Sequence, residues 1–154
     1  MEEEEKMRGV FTLLMVAAMF GLAGCTKDAV PVELSNVCSI DNEKKYISTS
    51  GFLDDKGGVF CSSVGGRLDC GFAVMAAPSG EKVFSADIEQ GSGANEVEKL
   101  ERSYKKEDIK IHDNSGAVIK LSSDKVTLTG EMSIAPAAPG GVGVCFMKVD
   151  KIER

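Results

Sequence analysis

The chain has 154 residues, a length that allows one domain, and its formal net charge at pH 7 is −6. An acidic chain without tryptophan has no overall electrostatic attraction to nucleic-acid phosphates or to anionic membrane surfaces, which disfavours nucleic acid as a partner. It contains five cysteines and a single histidine, with no CxxC pair, so the composition disfavours a zinc site as well.

An apolar run, GVFTLLMVAAMFG, covers residues 9–21. It is shorter than the roughly 20 residues that a membrane-spanning helix needs, and it matches the hydrophobic region of a signal peptide. Lys6 and Arg8 supply the positive flank, whereas the four preceding glutamates do not fit. Translation from Met7 would give a conventional leader, so a start at Met1 or at Met7 stays open. The alternative is an uncleaved anchor helix or a buried core helix.

The stretch Leu22-Ala23-Gly24-Cys25 follows this run directly and resembles the lipobox of bacterial lipoproteins. The resemblance implies that residues 1–24 are removed as a signal peptide and that Cys25 becomes the lipidated N-terminus, with a diacylglyceryl thioether and an amide-linked chain such as palmitate. Several acyl chains on one residue give stable membrane anchoring. Thr26, which follows the cysteine, resembles an outer-membrane sorting signal, although the inner membrane stays open.

The resemblance therefore implies a location in the bacterial cell envelope, lipid-anchored, at the outer membrane and facing the periplasm. Removing the leader takes away four glutamates, Lys6 and Arg8, which leaves a side-chain net charge of −4. Residues 25–44 are polar, contain Pro31 and show no sustained period. We interpret them as the lipidated N-terminus and a tether that precedes a domain at residues 45–154.

Assigning Cys25 to lipid leaves four cysteines, an even number that can pair completely in an oxidising compartment: Cys38, Cys61, Cys70 and Cys145. Gly65-Gly66 is a typical two-residue hairpin loop, and counting outward from it places Cys61 opposite Cys70 at a non-hydrogen-bonded position. Such partners lie about 4.5 Å apart at Cα, which a disulfide can bridge. The sequence thus predicts a Cys61–Cys70 bond, and a Cys38–Cys145 bond follows by elimination.

Alternating apolar and polar residues predict most of the remaining elements. Strands are expected near residues 45–53, 59–62, 67–74, 82–89, 125–134 and 142–152, and two further segments, 109–112 and 117–121, are expected to flank a turn at 113–116. One helix is expected at residues 96–105, because Asn95 and Glu98 form a capping box before an apolar stripe at Val97, Leu100 and Tyr104.

Three strands, a helix and then further strands is the element order of the OB-fold, which the chain resembles over about residues 45–153. The phrases YISTSGFL and DIKIHDNSGAVIKLSSDKVTLTGEM also look like parts of such a barrel. We therefore predict a mainly β fold, a small OB-like barrel of five to six strands with one α-helix. The main alternative is a small open β-sandwich that carries one helix.

OB-folds often bind oligonucleotides or oligosaccharides through the face of their second and third strands. Single-stranded nucleic acid needs aromatic stacking platforms and a cationic groove. The residues expected to point outward on that face offer neither: Asp69, Gly71, Ala73, Met75, Asp87 and Glu89.

The candidate catalytic and metal-binding residues lack the partners or the spacing that such chemistry needs. His112 beside Asp113 lacks an obvious catalytic partner, and the Asp54-Asp55 and Asp113-Asn114 pairs lack the spacing of a calcium loop. The glycines fit no phosphate-binding loop, and no serine stands in a histidine-centred constellation. We expect no catalytic residue, no metal site and no cofactor.

The sequence as a whole predicts a non-enzymatic envelope lipoprotein that acts as a binding or adaptor module for an envelope protein or glycan. The alternative is an OB-fold lipoprotein that binds nucleic acid or oligosaccharide, and hydrolysis is the least favoured function.

Overall fold

Seven β-strands account for most of the regular structure in the computed structural model, which describes residues 27–141 and 143–154. The predicted signal peptide and Cys25 lie outside the described residues. The strands are β1 (Val30–Pro31), β2 (Tyr46–Asp54), β3 (Phe60–Val64), β4 (Arg67–Met75), β5 (Lys82–Glu89), β6 (Lys125–Ala135) and β7 (Val144–Glu153). Three short 3-10 helices span Leu34–Asn36, Ile40–Asn42 and Lys106–Asp108.

Five of these strands close a barrel. The sheet order is β1-β2-β6-β7-β5-β4-β3, and a further pairing of β2 with β4 closes the ring β2-β6-β7-β5-β4. Within the ring only β5 and β7 run parallel; the other neighbours are antiparallel. The fold is mainly β and is consistent with an OB-like barrel, as the sequence predicts.

Strand alternation places the core as expected along β6, where Val126, Leu128 and Met132 are buried. Gly130 lies between them, at a register irregularity of the β6–β7 pairing. A Cβ atom at this position would lie 2.0 Å from the backbone oxygen of Lys148. Glycine is required here because the two backbones approach too closely for any side chain.

The interpretation of residues 25–44 as a free tether is wrong from Val30 onward. Val30–Pro31 pairs with β2, and the Val32 amide donates to the Ser48 carbonyl at 2.9 Å. Val37 is completely buried, and the Asn42 side chain donates to the Val37 carbonyl at 3.2 Å. One buried apolar residue among 3-10 turns leaves no periodic signal in the sequence, so the segment resembles a linker although it packs on the barrel.

The α-helix predicted at residues 96–105 is also wrong, and the described residues contain no α-helix. Asn95 has a φ of 63°, which is not the extended conformation of a helix N-cap. The Val97 amide donates to the Glu89 carbonyl, and the Val97 carbonyl accepts from Gly91, both at 2.9 Å. These backbone groups are bonded at the end of β5, so Val97 is buried without a helix, and Leu100 and Tyr104 pack partly buried against the core.

Candidate binding face

An OB-fold binds its ligands on the face of the second and third barrel strands, which are β4 and β5 in this ring, and β3 and β7 flank them in the sheet. The register places Asp69 opposite Glu89 and Gly71 opposite Asp87, so these predicted outward residues do meet on one surface. Ala73 and Met75 were also expected outward, but both are buried. They belong to the half of β4 that pairs with both β2 and β5, and the β4–β5 register is irregular at Met75.

Arg67 forms ion pairs with carboxylates of three strands on this face. The sequence pattern did not identify this residue. Its guanidinium is paired with Asp69, lies 3.3 Å from Glu89 and 4.0 Å from Asp150, and donates to the Val149 carbonyl at 3.2 Å. Because this cation is surrounded by three carboxylates, it is not available to neutralise an incoming phosphate. The cluster cannot be predicted from a sequence pattern, because its residues lie on three separate strands.

Asp87 adds to the negative charge of the same face. Burial raises the pKa of its carboxyl, and the nearby Asp69 raises it further, against the opposing effects of Lys82 and Arg67. A Cβ atom on Gly71 would lie 3.2 Å from the Asp87 carboxylate, so the glycine leaves room for this acid. Lys148 of β7 lies opposite Asp87 in the register, so four carboxylates (Asp69, Asp87, Glu89 and Asp150) face two cations, Arg67 and Lys148, and the net charge of the face is negative.

The β3–β4 hairpin extends this face with two exposed apolar residues. Phe60 is 77% exposed and Val64 is 74% exposed, and their register partners on β4 are Gly71 and Arg67. Phe60 falls within a predicted strand, but its exposure could not be predicted from the sequence. Phe60 supplies the aromatic ring that the sequence-predicted face lacked, although it lies at the margin of an acidic surface.

The disulfides form the two pairs expected from the sequence. Cys61 lies directly opposite Cys70 in the register, with the Cα atoms 4.0 Å apart, and this bond clamps the hairpin that carries Phe60. Cys38 is bonded to Cys145 at the start of β7, with a sequence separation of 107. A shallow apolar pocket surrounds the second bond, and Ile40 lines it as an exposed residue.

His112 has both ring nitrogens engaged. Nδ1 lies 3.0 Å from the Gly116 carbonyl, and Nε2 lies 3.0 Å from the Glu98 carboxylate. The hydrogen bond with the Gly116 backbone and the one with Glu98 raise the pKa of His112. The imidazole joins two segments of the β5–β6 connection.

Asp113, next in the chain, stabilises a turn and binds the C-terminal residue. Its carboxylate accepts hydrogen bonds from the Ser115 hydroxyl at 2.6 Å and from Arg154 Nε at 2.8 Å. The Ser115 hydroxyl, the Ala117 amide and Arg154 lower the pKa of Asp113 to about 2, against the effect of burial. Asp113 and Asn114 thus stabilise a turn, which the Gly116 amide closes by donating to the Asp113 carbonyl.

Asp54 belongs to a second structural ion pair, between β2 and the β5–β6 connection. Lys106 Nζ lies 2.6 Å from its carboxylate, and the Ser122 hydroxyl also donates to it. Burial opposes ionisation, but hydrogen bonds from Lys106 and Ser122 outweigh it and lower the pKa of Asp54. Across residues 27–141 and 143–154, no three His, Cys, Asp or Glu side chains group as metal ligands.

No family model, curated protein or solved structure matches this chain. Among the described residues, no helix has the length and apolar character needed to cross a membrane.

Proposed function

We propose that the protein is a lipid-anchored binding module of the bacterial cell envelope, held to the membrane through Cys25. The observation that supports this proposal is the pairing of the remaining cysteines. Once Cys25 is assigned to lipid, each of the other four cysteines is in a disulfide, a state that suits an oxidising compartment such as the periplasm.

The packing of the N-terminal segment on the barrel limits how far from the membrane such a domain could lie. β1 begins at Val30, so only residues 26–29 separate the lipidated cysteine from the first strand. The five Cα-to-Cα steps from Cys25 to Val30 span at most about 18 Å when fully extended. The barrel would therefore lie almost against the bilayer, with the outer face of β3, β4, β5 and β7 available to a partner in the periplasm.

The same face supports a binding role toward a protein partner. Its one arginine, Arg67, is already surrounded by carboxylates, and Asp87 adds further negative charge. Such a surface attracts a basic partner and repels phosphate backbones. An envelope protein with a positively charged patch is the partner that we propose.

The anchor is tested by metabolic labelling with a fatty-acid analogue in a bacterial host. Wild type should carry the label and partition with membranes, whereas Cys25→Ala should lose both properties. A label that survives the substitution would contradict the lipid-anchor proposal. Mapping of the Cys61–Cys70 bond in the variant provides the control for folding.

The adaptor role is tested by chemical cross-linking in intact cells, followed by capture and mass spectrometry. Asp87→Asn combined with Glu89→Gln removes two charges without changing side-chain shape greatly, so it should reduce recovery of the partner. Lys99→Gln, a substitution on the β5–β6 connection, is the matched control. Equal recovery from all three proteins would contradict a role for the acidic face.

The exposed ring of Phe60 favours a second candidate, an oligonucleotide- or oligosaccharide-binding domain, because such rings stack on bases and sugars. A gel shift with single-stranded oligonucleotides tests the nucleic-acid version. Binding that weakens as salt rises and that is lost in Phe60→Ala would favour this candidate over the protein adaptor.

A further inference from the structure

The strand β3 is the outermost strand on one side of the sheet. Among the described residues it pairs with β4 alone, through an unbroken register from Phe60 opposite Gly71 to Val64 opposite Arg67. Its sequence, FCSSV, contains no charge and no proline, and its register contains no bulge. Edge strands often carry a charge, a proline or a bulge that hinders further pairing, because an open edge pairs readily with another strand.

The hairpin geometry identifies the backbone groups that this edge presents. Partners in an antiparallel pair alternate between hydrogen-bonded and non-hydrogen-bonded positions. The pair nearest the Gly65-Gly66 loop is Val64 with Arg67, so Cys61 and Ser63 occupy non-hydrogen-bonded positions toward β4. The N–H and C=O groups of Cys61 and Ser63 therefore point away from β4, toward the open edge.

The side chains of β3 separate into two faces. Phe60, Ser62 and Val64 share the outer face, where the two apolar residues are largely exposed. The disulfide of Cys61 with Cys70 fixes the opposite face toward the core. The open edge is thus held rigidly and carries an apolar residue at each end, with a small serine between them.

We propose that β3 pairs with β3 of a second copy of this chain, antiparallel and centred on Ser62. In this register Cys61 of one copy forms a hydrogen-bonded pair with Ser63 of the other, and the reverse pair is its symmetry equivalent. Four backbone hydrogen bonds result. Phe60 lies opposite Val64 of the second copy twice, at non-hydrogen-bonded positions where cross-strand side chains are closest.

This register is favoured because the strand is complementary to itself, which is the requirement for a two-fold interface. Each edge supplies the donors, the acceptors and both members of an apolar pair. The acidic centre of the face does not prevent the pairing. The two Asp69 residues would be separated by three inter-strand spacings, about 14 Å, which exceeds the screening length of about 8 Å at physiological ionic strength.

A five-residue strand buries much less area than a standard stable interface, at about 800 Å² per partner. Pairing should therefore require a high local concentration, which the membrane anchor that we propose would supply. The inference rests on that proposed function only in this respect. Purified chain at high concentration provides an assay that does not depend on lipidation.

Cysteine cross-linking at the two-fold axis tests the register. In Ser62→Cys, the two introduced thiols would lie on residues about 4.5 Å apart at Cα, within disulfide range. The full chain is oxidised with copper phenanthroline, in membranes and as concentrated purified protein, and examined on non-reducing gels. We expect a homodimer linked through position 62 in both preparations, with the native Cys61–Cys70 bond intact by peptide mapping.

Two variants make this result specific. Ser123→Cys is exposed in the turn before β6 and should give only background dimer. Adding Phe60→Lys and Val64→Lys to Ser62→Cys should abolish the dimer, because lysines on an edge strand oppose pairing. A dimer yield no greater than that of Ser123→Cys, or a dimer that survives the two lysines, would overturn the proposal.

A second measurement avoids thiol exchange with the neighbouring disulfide. A benzophenone amino acid in place of Phe60 should link, on irradiation, to the region of Val64 in another copy. Links only to a different protein would instead assign the β3 edge to a foreign strand and overturn the homodimer. Lipid labelling of the same preparation shows separately whether the anchor is present, so failure of the pairing and failure of the anchor are distinguishable.

Discussion

The side chain of Asn95 accepts a hydrogen bond from the backbone amide of Ile152, 2.8 Å away. This bond links the segment between β5 and β6 to the last strand, β7. Asn95 adopts a φ of 63°, a left-handed conformation that asparagine tolerates better than most residues. Ile152 is completely buried, so its amide cannot turn to water. One side chain therefore satisfies a buried donor and allows the backbone to turn.

Replacing Asn95 with alanine should lower the free energy of unfolding by about 1–3 kcal/mol, because a buried amide loses its acceptor. Denaturant unfolding of the full chain measures the change. Asn95→Asp keeps an acceptor and should cost less, and Asn95→Gly isolates the backbone contribution because glycine accepts the positive φ. Wild-type stability in the alanine variant would contradict the proposed role of this hydrogen bond.

The two disulfides should contribute unequally to stability. In the chain-entropy description, the Cys61–Cys70 bond closes a short loop and contributes about 2.7 kcal/mol. The Cys38–Cys145 bond closes a loop with a sequence separation of 107 and contributes about 4.7 kcal/mol. Denaturant unfolding of Cys61→Ser with Cys70→Ser, compared with Cys38→Ser with Cys145→Ser, should show the larger loss in the second pair. The reverse order would contradict this ranking.

Gly130→Ala should destabilise the barrel by about 1–3 kcal/mol or more, since the added methyl would overlap the Lys148 backbone. Backbone atoms of β7 cannot move aside as a side chain would. Gly141→Ala is the matched control, because its nearest contact would be an ordinary 3.4 Å. Thermal unfolding should separate the two variants clearly, and equal melting temperatures would show that the β6–β7 contact can relax.

The His112–Glu98 pair should make stability depend on pH. The raised pKa of His112 means that its contribution is fully present below the ordinary histidine value of about 6.5 and is lost as pH rises through the folded-state pKa. The lowered pKa of Glu98, which follows first from its hydrogen bond with His112, contributes above about pH 4.3. The window is therefore about pH 4.5–6.5.

Unfolding of wild type and His112→Gln across this range checks the linkage. The stability difference between the two proteins should be largest near pH 5.5 and should shrink as the pH is raised past 7. Glu98→Gln should flatten the same profile, whereas Glu101→Gln, in the same connection, should leave it unchanged. A difference that grows with rising pH would contradict the assigned sign.

The parts of the fold that the sequence predicts are those set by local rules. The Gly65-Gly66 loop fixes the hairpin register, and through it the partner of Cys61. Alternation locates β6 because one of its faces is buried along most of its length. The connection from β5 to β6 escapes prediction, since its backbone is stabilised by distant groups such as the Ile152 amide that binds Asn95.

The candidate face was only half predictable for a related reason. Asp69, Asp87 and Glu89 follow from strand alternation, and the structure brings them together. Arg67 and Asp150 come together because β5 pairs with β7. These two parallel strands are not joined by a turn, so the sequence gives no local signal of their pairing. Exposure of Phe60 likewise depends on how far the hairpin extends past the end of β2, which is a property of the closed barrel.

The Cys38–Cys145 bond also determines how tension would travel through the molecule. If the two ends of the described chain were pulled apart, the covalent path would run along residues 27–38, across the sulfur atoms and along residues 145–154. Residues 39–144 form a closed covalent loop beside that path and would carry no load along their backbone. Stretching could peel the first and last strands, but it could not extend the chain between them.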